Sequence, residues 1–368
     1  MKKKDRSKRK RNLPMILAVA LSAIWGGYLG VYGEFFVSPF GVGSLVFGLL
    51  LMAFGFYFQL IFHELGHLVC GLLSGYRFSS FRIGSLVLLK SSEGWSLKRL
   101  RLLGTGGQCL LNPPEGKEEE APFLLYNLGG ALFNFFGSVF FLFLYSLLPA
   151  ENWWSVLCLN IAVFGVPLAL INGIPLRNAF VSNDGENARL LKKDPLARRA
   201  LQLQLKVNEQ QVEGVRLRDM PEEWFLFPED ADMGNPLISA VAVFAENRLM
   251  DELNFSEAKE RIQYLKKQRI IGLYAYFLEM DRLYIEITEK GTEADLSLWY
   301  DKAMKKFAKS MKDFPSVLRT AYAVAKAEGN EAKQKELLTR FERVAKTYPS
   351  KADILSEREL IDHIKESF

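Results

Sequence analysis

The chain has 368 residues, 47 Lys and Arg against 42 Asp and Glu, and a formal charge of +5. That length allows two or three domains. Its three cysteines, Cys70, Cys109 and Cys158, form no CxxC pair, which excludes a disulfide framework and fits a reduced interior or lipid-facing packing.

In chain order, the first element is a basic tail, "MKKKDRSKRKRN", with eight Lys and Arg. It stands directly before an apolar run, so it reads as a topology signal and not as a nucleic-acid arm. Four uncharged segments follow: Leu13 to Gly33, Phe35 to Phe62, Ala121 to Ala150 and Asn152 to Leu176. Each reaches the roughly 20 residues needed to cross a bilayer. The first lacks a small-x-small cleavage site before Glu34 and reads as a retained span, not a signal peptide. Lys and Arg gather in the tail, after the second span (Arg77, Arg82, Lys90, Lys98, Arg99, Arg101) and after the fourth (Arg177, Arg189, Lys192, Lys193). The connectors around Glu34 and Glu151 have none. The positive-inside rule therefore puts the N-terminus, the 76–120 loop and the C-terminal half in the cytoplasm.

The second span ends in "QLIFHELGHLVCGLLSGY", where His63, Glu64 and His67 interrupt an apolar run reaching back to Phe35. On a helix His63 and His67 share one face, so both imidazoles can grip one zinc ion. Glu64 lies close enough to take a proton from water held there. Ionisable groups inside a span are costly and normally work in a wet cavity. The chain has three histidines, and the third, His363, falls in a polar helix near the C-terminus as a surface residue. The third protein ligand must then be a carboxylate or a thiol. Asp184 in "INGIPLRNAFVSNDGEN" is the leading candidate, at the same membrane depth as the histidines; Glu186 is the alternative. Asn-Asp-Gly is also a strong turn signal, and a turn can present a ligand.

With "HELGH" in an apolar span, "NLGGALFN" in the third span (Gly129, Gly130, Asn134) and "NGIP…NDG" after the fourth, the chain resembles the site-2 protease family of intramembrane zinc metalloproteases. The resemblance spans residues 44 to 185. It implies one Zn2+ per chain held by His63, His67 and Asp184, Glu64 as general base, and Asn172 positioning the substrate backbone or the oxyanion. The chain departs from the family in spacing: Pro175 and Asp184 are nine residues apart, where the family places the Asp five after the Pro.

The expected reaction is hydrolysis of a peptide bond in a membrane-embedded or membrane-adjacent substrate near the cytoplasmic side. Asn134 or Asn172 can donate to the oxyanion, and Gly66, Gly71, Gly129 and Gly130 allow close helix approach. A substrate helix must unwind before its carbonyls can be attacked. The β-rich stretch 78–90, "FSSFRIGSLVLLK", is expected as an edge strand or hairpin that holds it by main-chain bonds.

Beyond Asp184 the pattern turns helical. Residues 218–237 form a connector with Trp224, Phe225 and Phe227 as anchors. "FAKSMKDFPS" and "FERVAKTYPS" repeat with Phe307 to Phe341 and Pro315 to Pro349 each 34 apart, the tetratricopeptide period, and Gly329 is placed at the turn between paired helices. Such stacks bind partner proteins.

The expected fold is an all-α membrane protein with about four transmembrane helices, a small β-hairpin in the first cytoplasmic loop and a tetratricopeptide-like C-terminal domain. Its parts are a tail (1–12), a transmembrane metalloprotease domain (13–185), a connector with helices (186–240) and a helical-hairpin domain (241–368). Expected partners are a membrane-anchored peptide or protein substrate, the lipid bilayer and a protein on the helical domain, with no nucleic acid. The expected location is a bacterial plasma membrane, multi-pass, with both termini cytoplasmic. The alternative is a non-catalytic receptor or scaffold with a structural metal site; intact Glu64 favours the enzyme, since a structural site needs no base. A metal transporter would need further intramembrane carboxylates.

Overall fold

A computed structural model describes residues 26, 27, 30 and 42–368, apart from 103, 104, 117, 150, 151, 177–181, 229, 269 and 271. The basic tail and most of the expected Leu13–Gly33 span lie outside the described residues. The chain divides into two compact units, Met1–His67 with Leu128–Ile174, and Leu68–Asn127 with Pro175–Phe368.

Among the described residues three helices are long and apolar enough to cross a membrane. They are α1 (Val42–Leu73), α2 (Leu124–Leu147) and α3 (Trp153–Gly173). At 32 residues α1 is roughly 48 Å long, more than a hydrocarbon core requires. Its outward side chains are apolar (Leu49, Leu50, Phe54 and Tyr57 are exposed), as are Phe136, Phe140 and Phe143 on α2. That is the inverse of a soluble helix, and it suits lipid. Asn152 caps α3, its side chain accepting from the Trp154 amide.

In the first unit these helices meet through glycine. A methyl group on Gly66 would lie 2.3 Å from the Gly129 carbonyl oxygen, and one on Gly137 would lie 2.6 Å from the Phe62 ring. One on Gly165 would lie 2.1 Å from Ser138 Oγ. Lipid tails are as apolar as the helices, so close backbone approach must replace the missing hydrophobic drive.

The second unit begins with an antiparallel sheet of β1 (Arg77–Ile83), β2 (Leu86–Ser91), β3 (Gly94–Arg99) and β4 (Gly107–Asn112), in the order β3-β2-β1-β4. Ile83 pairs with Leu86 across a two-residue turn whose first residue, Gly84, has φ +59°, a conformation that favours glycine. The expected β1–β2 hairpin is therefore only part of a larger sheet. Its expected place at an edge is corrected: β2 pairs with β3 and β1 with β4, so residues 78–90 supply both inner strands. In β3, "GWSLKR", the alternating apolar residues Trp95 and Leu97 point outward, 61% and 67% exposed. One face of the sheet packs through Leu111 against Gly71 at the end of α1, with Tyr126 donating to the Cys109 carbonyl.

The remaining helices are α4 (Asp184–Lys193), α5 (Pro195–Glu213), α6 (Pro236–Asp251), α7 (Phe255–Lys267), α8 (Leu273–Lys290), a single turn at Ser297–Tyr300, α9 (Lys302–Ser310), α10 (Pro315–Ala327), α11 (Glu331–Ala345) and α12 (Lys351–Ser367). Their ends follow local chemistry. Asn183, Asp194, Asn235, Asn254, Asp301, Asn330 and Ser350 each cap the following helix with a side-chain oxygen. Pro195, Pro236 and Pro315 open theirs, where a missing amide hydrogen does no harm. α10 and α11 form a hairpin that turns at Gly329, φ +68°. Ile238, Ile262, Leu265, Leu278 and Leu283 lie fully buried in the core of this unit.

That core also holds charge. Arg319, 1% exposed, pairs with Asp281, faces Glu357 at 3.1 Å and lies over the Tyr284 ring at 4.6 Å. On α12, Asp353 and Glu357 are spaced four apart, on one face. Burial pushes the Asp353 carboxyl up to about 7 and that of Glu357 up to about 7. Cys70, Cys109 and Cys158 are all buried thiols.

Candidate metal centre

α1 sets His63 and His67 one turn apart, both buried. Their ring planes stand 83° apart and their Nε2 atoms 3.2 Å apart. Two Zn–N bonds of about 2.0–2.1 Å at a tetrahedral angle hold their nitrogens roughly 3.3 Å apart. The observed spacing fits that requirement.

The hydrogen bonds decide which ring nitrogen faces the site. Gln59 Nε2 donates to the Ile161 main-chain oxygen at 2.8 Å. A carbonyl only accepts, so the amide orientation of Gln59 is determined and its Oε1 points the other way. Asn134 Nδ2 donates to that Oε1 at 2.7 Å and to the Gln59 main-chain oxygen at 2.8 Å. Both amide hydrogens of Asn134 are thereby used, and its Oδ1 must accept. Its partner is His63 Nδ1 at 2.6 Å, which therefore carries the hydrogen. The lone pair of His63 is left on Nε2, the atom facing His67. A neutral imidazole with Nδ1–H bonded to an oxygen is the usual state of a metal-ligating histidine.

Space is reserved beside the rings. A methyl group on Gly130 would lie 2.5 Å from His63 Cε1, 2.6 Å from His63 Nε2 and 2.6 Å from His67 Nε2. Only glycine leaves both nitrogens clear at this point of α2.

Asp184 is the first residue of α4. Its turn is built by Asn183, whose Oδ1 accepts from the amides of Leu176 at 3.0 Å and Glu186 at 2.9 Å. Each of His63, His67 and Asp184 offers an atom of a kind that can ligate a metal: an imidazole nitrogen on each histidine and a carboxylate oxygen on the aspartate. Glu186 has a different engagement: both carboxylate oxygens receive hydrogen bonds from Arg189, three residues on. Glu186 in turn holds the Arg189 guanidinium above its ordinary pKa.

Glu64 is buried, 8% exposed, directly after His63. Asn172, near the end of α3, donates from Nδ2 to the Leu168 carbonyl of its own helix at 3.0 Å. Asn134 is fully buried. The residue that reading by motif passed over is Gln59. The signal was present, since Gln59, His63 and His67 recur at steps of four on one face of an otherwise apolar helix.

Two imidazoles and a carboxylate form a donor set suited to a catalytic zinc with an open position. Comparison with curated proteins returns no match, and comparison with solved structures returns none. The family description Peptidase family M50 matches residues 51–346, well over half of the 368, and the chain belongs to that family, the site-2 protease family of intramembrane metalloproteases.

Proposed function

We propose that the chain is a zinc endopeptidase of the site-2 protease type, cutting a membrane-embedded or membrane-adjacent peptide near the cytoplasmic face. The observation that carries this reading is the pair of Nε2 atoms 3.2 Å apart with Gly130 leaving them room. We assign Asp184, presented by the turn that Asn183 builds, as the third ligand.

His63 Nε2, His67 Nε2 and an Asp184 carboxylate oxygen would hold the zinc, which supplies polarisation of the scissile carbonyl and a lowered pKa for water. Glu64 takes the proton from the attacking water and hands it to the leaving amine. Asn134, with both amide hydrogens given to Gln59, orients His63 and does not bind the oxyanion. Asn172 keeps one amide hydrogen beyond its bond to Leu168, and we assign that hydrogen to a substrate carbonyl.

The substrate is a membrane-anchored peptide or protein that must unwind locally, since a helix in lipid ties up its own carbonyls. We place the chain in a bacterial plasma membrane with four spans and both termini cytoplasmic, because Lys and Arg cluster on one side of every span. The α10–α11 hairpin and the 34-residue spacing support a tetratricopeptide-like domain that docks a partner protein.

The test is Glu64→Gln. The variant should bind one zinc per chain and lose cleavage, so that membrane peptides accumulate in a strain carrying it, measured by mass spectrometry. An unchanged peptide profile beside normal zinc content would support the scaffold alternative and refute the enzyme.

A further inference from the structure

We infer that Gln59 is a positioning residue of the metal centre: its side chain, braced on the α3 backbone, sets through Asn134 the tautomer and orientation of His63. The inference rests on the metallopeptidase reading and goes beyond the ligand set.

Gln59 and Asn134 are both fully buried, inside helices that face lipid. A polar pair in such a place is expensive unless every hydrogen is used. Here the hydrogens run in one direction. The Gln59 amide ends on Ile161 O, the Asn134 amide ends on Gln59, and the His63 Nδ1–H ends on Asn134. The chain has one consistent polarity, because its far end is a main-chain carbonyl that cannot donate. Reversing any amide would put two acceptors or two donors face to face.

The geometry is specific to Gln59 in two ways. Its side chain is the part of the relay that reaches α3. It can do so because Gly165 has no side chain: a methyl group there would lie 2.4 Å from Gln59 Nε2 and 2.8 Å from the Asn134 carbonyl oxygen. Asn134 has a second acceptor in the Gln59 main-chain oxygen. Loss of the Gln59 side chain therefore leaves the Asn134 amide nitrogen with one of its two acceptors, loosening Asn134 without unseating it completely. The expected effect is a looser His63 in a site that remains assembled.

The experiment uses the full chain in lipid nanodiscs. Zinc affinity is measured by chelator competition, and ligand geometry by the visible spectrum after cobalt substitution. Outer-shell partners of metal ligands change affinity by about 10–100-fold. Gln59→Met, close in shape and apolar, should weaken zinc by about tenfold, at the low end of that range, and alter the cobalt bands. Asn134→Leu should fall within the range itself. The double variant should bind no more weakly than Asn134→Leu alone, since Gln59 acts through Asn134; a merely structural role would make the losses add. A second measurement needs no variant. With only three histidines in the chain, 15N-histidine labelling should show a hydrogen on His63 Nδ1.

Unchanged affinity and spectrum in Gln59→Met, additive losses, or a bare Nδ1 on His63 each overturn the inference while leaving the metallopeptidase reading intact. Failure of the unmutated chain to take up zinc overturns both.

Discussion

Gly130→Ala puts the metal centre to its most direct test. The added carbon would stand 2.5–2.6 Å from three atoms of the two imidazoles, whereas ordinary contact begins near 3.4 Å. One or both rings must retreat by roughly 0.8 Å. Zinc sites hold their ligands to about ±0.2 Å around a 2.0–2.1 Å bond. The forced shift is several times that tolerance, so the variant should lose the proper geometry of one or both imidazole–metal bonds. A drop in zinc affinity of 100-fold or more follows as an order-of-magnitude estimate, from about 1.4 kcal/mol per tenfold. Helix breakage does not explain such a loss, because alanine improves an α-helix by about 1 kcal/mol over glycine. Gly43→Ala, at a position on α1 with nothing within 4 Å of the added carbon, is the control. Zinc per chain would be read by elemental analysis of purified protein, with cleavage in membranes scored alongside. Full zinc and full cleavage in Gly130→Ala would refute the reasoning, because the rings would then have room that the geometry denies them.

Two further outcomes concern the second unit. Asp353 and Glu357 both have carboxyls raised to about 7 chiefly by burial, above the roughly 4 of an unfolded chain. The folded state therefore binds the extra protons, so their contribution is full below about pH 4, fades as pH rises to about 7 and is flat beyond. Amide exchange in α12, corrected for intrinsic rate, should be faster at pH 8 than at pH 5.5, and Asp353→Asn should reduce the difference; the opposite slope would show these groups charged when folded. Arg319→Leu leaves Asp281 and Glu357 without their cation and should destabilise the unit by about 3–5 kcal/mol, more at pH 8 than at pH 5.5, as read by denaturant midpoint. A midpoint shifted equally at both pH values would count against the charge argument.

The parts of the fold that were legible are those governed by short-range rules. Long uncharged runs announced three of the described helices, because a backbone in lipid must satisfy itself within its own segment. Gly329 announced the α10–α11 turn. The sheet was half legible. β1 and β2 are rich in β-formers, but which strand lies at the edge depends on partners far along the chain: β4, which pairs with β1, follows it in sequence only after both other strands. At the site, HExxH names its residues through helix periodicity alone. Between Asp184 and Glu186, the engagement of Glu186 by Arg189, three residues on, was visible as a competitor in the sequence. Gln59 was overlooked because pattern reading treats one amide in an apolar helix as noise.

The glycines and the amides of the first unit belong to one arrangement. Gly165 lets Gln59 reach the α3 backbone, Gly130 clears the histidine nitrogens, and Gly66 brings α1 within touching distance of α2. Remove a glycine, and the helices separate by more than a hydrogen bond can stretch. Remove an amide, and a close-packed interface is left with a buried donor that has no acceptor. In a soluble enzyme the core could absorb such a change with hydrophobic energy made elsewhere. A bundle in lipid has no such reserve, because its helices gain little from leaving the acyl chains. Holding the metal ligands in place and holding the helices together therefore depend on the same few residues. Substitutions at Gln59 or Asn134 should accordingly lower thermal stability and zinc affinity together.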